Sequence, residues 1–188
     1  RLASAIAEWG TDSFALPFRV WGALNVNARN FGAELARARR KEAAGVCAFL
    51  TQPAFTDEAF GNLARARAEL GSPVLGGVLP VVSERHAAFL ARGEIPGIAM
   101  DDSVARLFAG KSRYEATELS LDYALSLAKR MEAVTDGWYV ITPFARVDIS
   151  TRLVSRLAAI SAGSRREPPG TRETETSVPA PLACSPVP

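Results

Sequence analysis

Two cysteines, two methionines and one histidine are all that 188 residues hold of the common soft and nitrogen metal ligands. Cys47 lies in a predicted strand and Cys184 in a proline-rich terminal stretch, so the pair suggests neither a disulfide framework nor a CxxC metal site. With His86 as the single histidine, a multi-histidine metal centre is excluded. Long apolar runs are missing too. Nothing approaches the roughly 20 residues that span a bilayer, and the opening Arg1–Gly10 reads as a short amphipathic helix rather than a signal sequence. A formal net charge of +2, with 22% of residues charged, makes no strong field of either sign. Neither nucleic acid nor a membrane is therefore expected as a partner, and the expected location is cytoplasmic. Any hard chemistry is expected from an organic cofactor rather than a metal.

Against these absences stands a rhythm. Four β-rich apolar runs end at a polar or proline-bearing tip, and a helical stretch follows each: Phe18–Leu24 before Asn25, Cys47–Leu50 before Thr51 and Gln52, Val74–Leu79 before Pro80, and Trp138–Ile141 before Thr142 and Pro143. Strands alternating with helices make βαβ units and a parallel sheet, whose strands are buried on both faces and read as unbroken apolar runs. The predicted helices include one with an apolar face of Phe31, Leu35 and Ala38 that stops at Gly45. Others cover Thr56–Leu70, start at His86–Leu90, form a short extra turn over Met100–Phe108, run long over Tyr114–Val134, and close the ordered region at Ile149–Ile160. The ordered α/β domain is placed at 1–161. Residues 162–188, rich in Pro, Thr, Glu and Arg, carry too little apolar surface to offset the entropy of ordering and are expected to be disordered.

In such a fold function sits at the C-terminal ends of strands, where loops converge. Arg37, Arg39, Arg40 and Lys41 crowd the second half of the helix that leads into the strand tipped by Gln52. They read either as a phosphate or diphosphate site, for which guanidinium and ammonium are natural donors, or as a solvated basic face favoured by the helix dipole. Gln52 carries a donor and an acceptor and so can read the edge of a heterocycle, or it caps a loop. Asn25 and Asn27 at the first tip have the same two readings, with turn formation favoured. His86 beside Arg85 has no triad partner at a diagnostic spacing and reads as an ordinary residue at a helix start.

Six segments occur in this order: Ala23-Leu24-Asn25-Val26-Asn27-Ala28-Arg29-Asn30, Arg40-Lys41-Glu42-Ala43-Ala44-Gly45, Phe49-Leu50-Thr51-Gln52-Pro53, Gly76-Gly77-Val78-Leu79-Pro80, Glu94-Ile95-Pro96-Gly97-Ile98 and Ile141-Thr142-Pro143-Phe144. Together they resemble the flavin-dependent methylenetetrahydrofolate reductases, over about residues 1–160, and most of all the form fused behind a homocysteine methyltransferase domain. The resemblance implies a TIM-type (βα)₈ barrel of which this chain holds about strands five to eight. It implies FAD as cofactor, NADH or NADPH as reductant, and reduction of 5,10-methylenetetrahydrofolate to 5-methyltetrahydrofolate in one-carbon metabolism. On the matching positions, Lys41 falls on the family's FAD-contacting lysine, Arg37 and Arg40 on neighbouring cofactor-side positions, and Glu34 on an acid that touches the ribityl region. Gln52 matches the glutamine that hydrogen-bonds the pterin, while Asn25 and Asn27 fall in the loop that lines the flavin.

The same resemblance implies that the family's catalytic acids belong to the first half of the barrel, so no catalytic residue is assigned within this chain, and the chain by itself is expected to be inactive. The full-length enzyme is expected to be a homo-oligomer. Where some members place an aromatic ring over the folate, this chain has Val82-Ser83-Glu84-Arg85. Two other classes stay open: a different flavin- or phosphate-binding barrel enzyme, and a non-catalytic fragment or interaction module that uses the basic helix and the tail.

Overall fold

Four helices start where a short polar side chain stands in for the missing turn. Asn30 Oδ1 accepts from Ala33 N (3.0 Å), Thr56 Oγ1 from Ala59 N (3.2 Å) and Ser83 Oγ from His86 N (3.1 Å). Ser112 accepts from Glu115 N (3.3 Å) while the Glu115 carboxylate accepts from Ser112 N (2.8 Å), a reciprocal capping box. Each cap is worth about 1 kcal/mol. The helices so begun are α1 (Phe31–Glu42), α2 (Asp57–Glu69), α3 (Glu84–Ala91) and, after the short α4 (Asp102–Leu107), α5 (Arg113–Met131). The last helix, α6, spans Val147–Ser164. The structure is a computed structural model that describes residues 2–6 and 18–164, with side chains as far as residue 159.

Between the helices run β1 (Val20–Leu24), β2 (Val46–Pro53), β3 (Val74–Val78) and β4 (Gly137–Val140), all parallel and ordered β1-β2-β3-β4. Each strand joins the sheet beside its predecessor, without the reversal that marks a doubly wound sheet. The two faces of β3 differ. A Cβ on Gly76 would come 2.6 Å from Met131 Sδ of α5, so that face lies against a helix. On Gly77 it would come 2.8 Å from the Thr51 carbonyl and 3.1 Å from the Tyr139 hydroxyl, so the other face meets polar groups of the neighbouring strands. The core fills the helix side: Leu24, Leu35, Phe49, Leu63, Leu90, Phe108, Leu121 and Leu153 are all sealed from solvent.

The four strands and their parallel pairing agree with the apolar runs, and the ends differ in informative ways. β2 continues through Pro53 rather than stopping at Leu50, so Gln52 belongs to the strand and not to the loop beyond it. Its pairing with β3 slips between Leu50 and Pro53, and the strand survives a terminal proline because no N–H is needed at its last position. β1 starts at Val20 rather than Phe18. Residues 2–6 are helical, while the rest of the expected first helix lies outside the described residues. α6 runs to Ser164, three residues past the expected domain boundary, and the expected tail from 165 onward lies outside the described residues. Cys47 is half-buried in β2, and Cys184 lies outside the described residues. No described helix is long and apolar enough to cross a membrane.

After β4 the chain makes a single 3₁₀ turn at Pro143–Ala145. Phe144 and Ala145 there both have left-handed backbones (φ 46° and 57°). For residues with a Cβ this costs about 1–2 kcal/mol each.

Candidate functional site

The tip of β1 is built by two asparagines. The Asn25 side chain accepts from Asn27 N (3.0 Å), closing a tight side-chain turn that points the chain toward α1. Asn27 then uses both amide protons at long range: Nδ2 donates to the Pro53 carbonyl (2.9 Å) and to the Gly97 carbonyl (2.8 Å). The tips of β1 and β2 and the 94–98 segment are thereby tied together. Asn62 of α2 adds a further bond to the Val26 carbonyl (2.8 Å). The Asn27 side-chain oxygen Oδ1 is buried and accepts no hydrogen bond among the described residues, an arrangement that is uncommon in native structures and calls for a partner.

Gly97 sits between two of the sequence-predicted residues. Its φ of +82° favours glycine, and a Cβ there would lie 3.2 Å from Gln52 Cγ and 3.3 Å from Asn25 Nδ2. The missing side chain lets Gln52 of β2 and Asn25 of β1 approach from adjacent strands. Among the described residues the Gln52 amide has no hydrogen-bond partner, so both its donor and its acceptor are available to a ligand.

Glu34, Arg37 and Lys41, spaced three and four apart, share one face of α1. Glu34 is only 7% exposed. One carboxylate oxygen accepts from Asn25 N (3.2 Å) and the other from the Arg37 guanidinium. Burial is the largest single influence on Glu34 and pushes its carboxyl upward. The Arg37 guanidinium, the Asn25 N–H and the Lys41 charge together outweigh it and hold the group below the usual carboxylate range. Lys41 Nζ donates to the Ala23 carbonyl (2.6 Å) on the strand edge. The basic cluster therefore divides. Arg37 and Lys41 belong to the β1 tip, Arg39 is taken by Glu69 of α2, and Arg40 is exposed and joins none of these bonds.

The charged groups are partly spent on one another, and what remains suits an anionic, hydroxyl-bearing molecule. Lys41 commits one of three donors to Ala23 and Arg37 turns only part of its five toward Glu34, with 54% of its side chain exposed. The buried Glu34 carboxylate can accept from a hydroxyl. These are the features a diphosphate and a ribityl chain need, so the residues fit a flavin dinucleotide.

A second polar link went unread in the sequence. The Tyr139 hydroxyl donates to the Thr51 carbonyl (2.6 Å) across β3, and Gly77 N donates to Thr51 Oγ1 (3.1 Å). Gly77 makes the crossing possible because any side chain would strike both Thr51 O and Tyr139 Oη. Burial pushes the Tyr139 phenol above its ordinary value. Gly97 had a local signal, the Pro96-Gly97 turn dipeptide. Thr51 and Tyr139 had none that a single sequence could supply. His86 is buried at the start of α3, where Nδ1 accepts from Val82 N (3.3 Å), a structural part in keeping with its reading.

No protein-family model matches the sequence, and no curated protein matches it. Among solved structures the chain is similar to an uncharacterized protein from Clostridium thermocellum described as binding two copies of 5-methyl-5,6,7,8-tetrahydrofolic acid. The TM-score is 0.58 and the identity 14%, over 84% of this chain and 59% of that one. At that identity the likeness is one of fold. The chain spans less than two thirds of that structure's length.

Proposed function

We propose that this chain forms the pterin-reading side of a reduced-folate site, as part of a flavin-dependent methylenetetrahydrofolate reductase whose barrel strands five to eight correspond to β1–β4. The observation that carries the reading is the meeting of Gln52, Asn25 and Gly97 at the tips of β1 and β2, with an uncommitted amide on Gln52. A fold neighbour described as binding 5-methyltetrahydrofolic acid supports folate as the ligand class. The six ordered segments of the sequence support reduction as the activity.

In this reading Gln52 pairs with the pterin edge through its donor and acceptor, and Asn25 and Asn27 shape the loop beside it. Arg37 and Lys41 hold the anionic part of FAD and Glu34 accepts from a ribityl hydroxyl, while Arg40 contributes only positive potential. Bound FAD supplies the hydride chemistry, recharged by NADH or NADPH. No acid of this chain occupies a matching catalytic position, so turnover belongs to the complete barrel and partial strands alone bind without reducing.

Calorimetric titration with 5-methyltetrahydrofolate tests the ligand class. Saturable binding that weakens at least tenfold in Gln52→Ala is expected; absence of binding at millimolar folate overturns the reading. In a complete reductase carrying this half, Lys41→Ala should weaken FAD retention while Gln52→Ala leaves flavin bound and impairs folate turnover. Unchanged FAD affinity in Lys41→Ala removes the lysine from the cofactor site.

A further inference from the structure

On the other half of the sheet, the loops leaving β3 and β4 and the start of α5 frame a groove of about 800 Å³, which none of the residues at the β1–β2 tips lines. Its apolar wall includes Val82 and Ala116, and its rim carries Arg85, Lys111, Arg113 and Arg146. Arg146 is committed to Asp148 through two bonds (2.8 and 2.7 Å). The one lining carboxylate, Glu84, is turned to Gly110 N, from which it accepts (3.0 Å). Arg85 and Arg113, neither of them in an ion pair among the described residues, thus border one groove together with Lys111, which lies in the field of the Glu115 carboxylate that caps the start of a 19-residue helix.

The same groove has an aromatic wall. The Phe144 ring is 71% exposed although its edge-on contact with the buried His86 ring (4.9 Å between centroids) fixes its position. Its backbone and that of Ala145 are both left-handed. Apart from that one contact, two successive strained residues hold a phenyl ring out toward solvent; strain of this kind gathers at ligand clamps.

We propose that this groove binds a planar ring joined to a multiply charged anion, the chemistry of a nucleotide di- or triphosphate, with phosphates on Arg85, Lys111 and Arg113 and the ring against Phe144. Guanidinium and ammonium groups supply charge-assisted donors to phosphate oxygens, and an exposed phenyl supplies a stacking face that tolerates any base. The site is separate from the β1–β2 tips and stands whether or not folate binds there.

The test is titration of the chain with ADP, adenosine, pyrophosphate and p-aminobenzoylglutamate at low salt. ADP should bind at least tenfold tighter than adenosine and more tightly than pyrophosphate, and the affinity should fall as salt rises. Arg85→Ala with Arg113→Ala should weaken ADP at least tenfold. Phe144→Ala should weaken ADP while leaving pyrophosphate unchanged. All three side chains are exposed, and circular dichroism checks that the variants fold. Equal affinities for ADP and adenosine, or ADP binding unmoved by these variants, overturn the proposal. Tighter binding of p-aminobenzoylglutamate than of ADP overturns the assignment to phosphate.

Discussion

Replacing Gly97 with alanine tests the candidate site through a single methyl group, and the chain contains its own control. Gly97 and Gly93 both have left-handed backbones, with φ of +82° and +69°. Alanine at either position costs about 1–2 kcal/mol from the backbone alone. At Gly93 nothing lies within 4 Å of the added Cβ. At Gly97 the Cβ lies 3.2 Å from Gln52 Cγ and 3.3 Å from Asn25 Nδ2, so one of these side chains must give way by a few tenths of an ångström. Urea unfolding should show both variants destabilised by about 1–2 kcal/mol, a fall in melting temperature of about 2–8 °C for a domain of this size. Folate titration separates them. Gly93→Ala should bind 5-methyltetrahydrofolate as the parent chain does, whereas Gly97→Ala should lose affinity because Gln52 is displaced. Equal folate affinities in the two variants would refute the idea that the approach of Gln52 and Asn25 at Gly97 shapes a binding site.

Tyr139→Phe removes the hydroxyl that serves the Thr51 carbonyl and should cost about 1–3 kcal/mol in urea unfolding, the range for a buried polar group left unpaired. Leu121→Ala, at a position with no solvent exposure, should cost about 2–5 kcal/mol in the same assay. Burial pushes the His86 imidazole below its ordinary value, so below pH 6.5 the unfolded chain binds a proton that the folded chain resists. Stability should be full above that pH and fall at up to about 1.4 kcal/mol per unit as the pH drops through the window below it, until the folded imidazole protonates. Urea midpoints measured across pH 5–7.5 should show this slope, and His86→Gln should flatten it; an unchanged slope in that variant would assign the effect elsewhere.

Some of the site was legible before any fold was known. Asn25, Asn27 and Gln52 stand at the ends of apolar runs, and strand ends of parallel sheets are where loops gather. Glu34, Arg37 and Lys41 follow helical spacing on a helix with a clear stop at Gly45, although Arg37 and Lys41 stood out as part of the basic cluster and Glu34 only through the family resemblance. Arg40 could not be separated from Lys41 within that cluster. Adjacent residues differ by about 100° around a helix, and which direction meets the edge of β1 depends on how the helix is seated.

Local rules sufficed for the strands, the helices and their starts. Apolar runs, helical periodicity and caps such as Ser112 with Glu115 act over three or four residues, and the chain determines them wherever it lies in space. The tertiary structure alone decided the contacts that make the site. Asn27 reaches carbonyls 26 and 70 residues away, and Tyr139 reaches one 88 residues away. The slipped register that carries β2 through Gln52 to Pro53 coincides with that tyrosine bond and with the bare backbone of Gly77. No local preference encodes such pairings. They exist only once strands are laid side by side in a definite register, because a hydrogen bond of about 3 Å demands a placement that sequence separation leaves free.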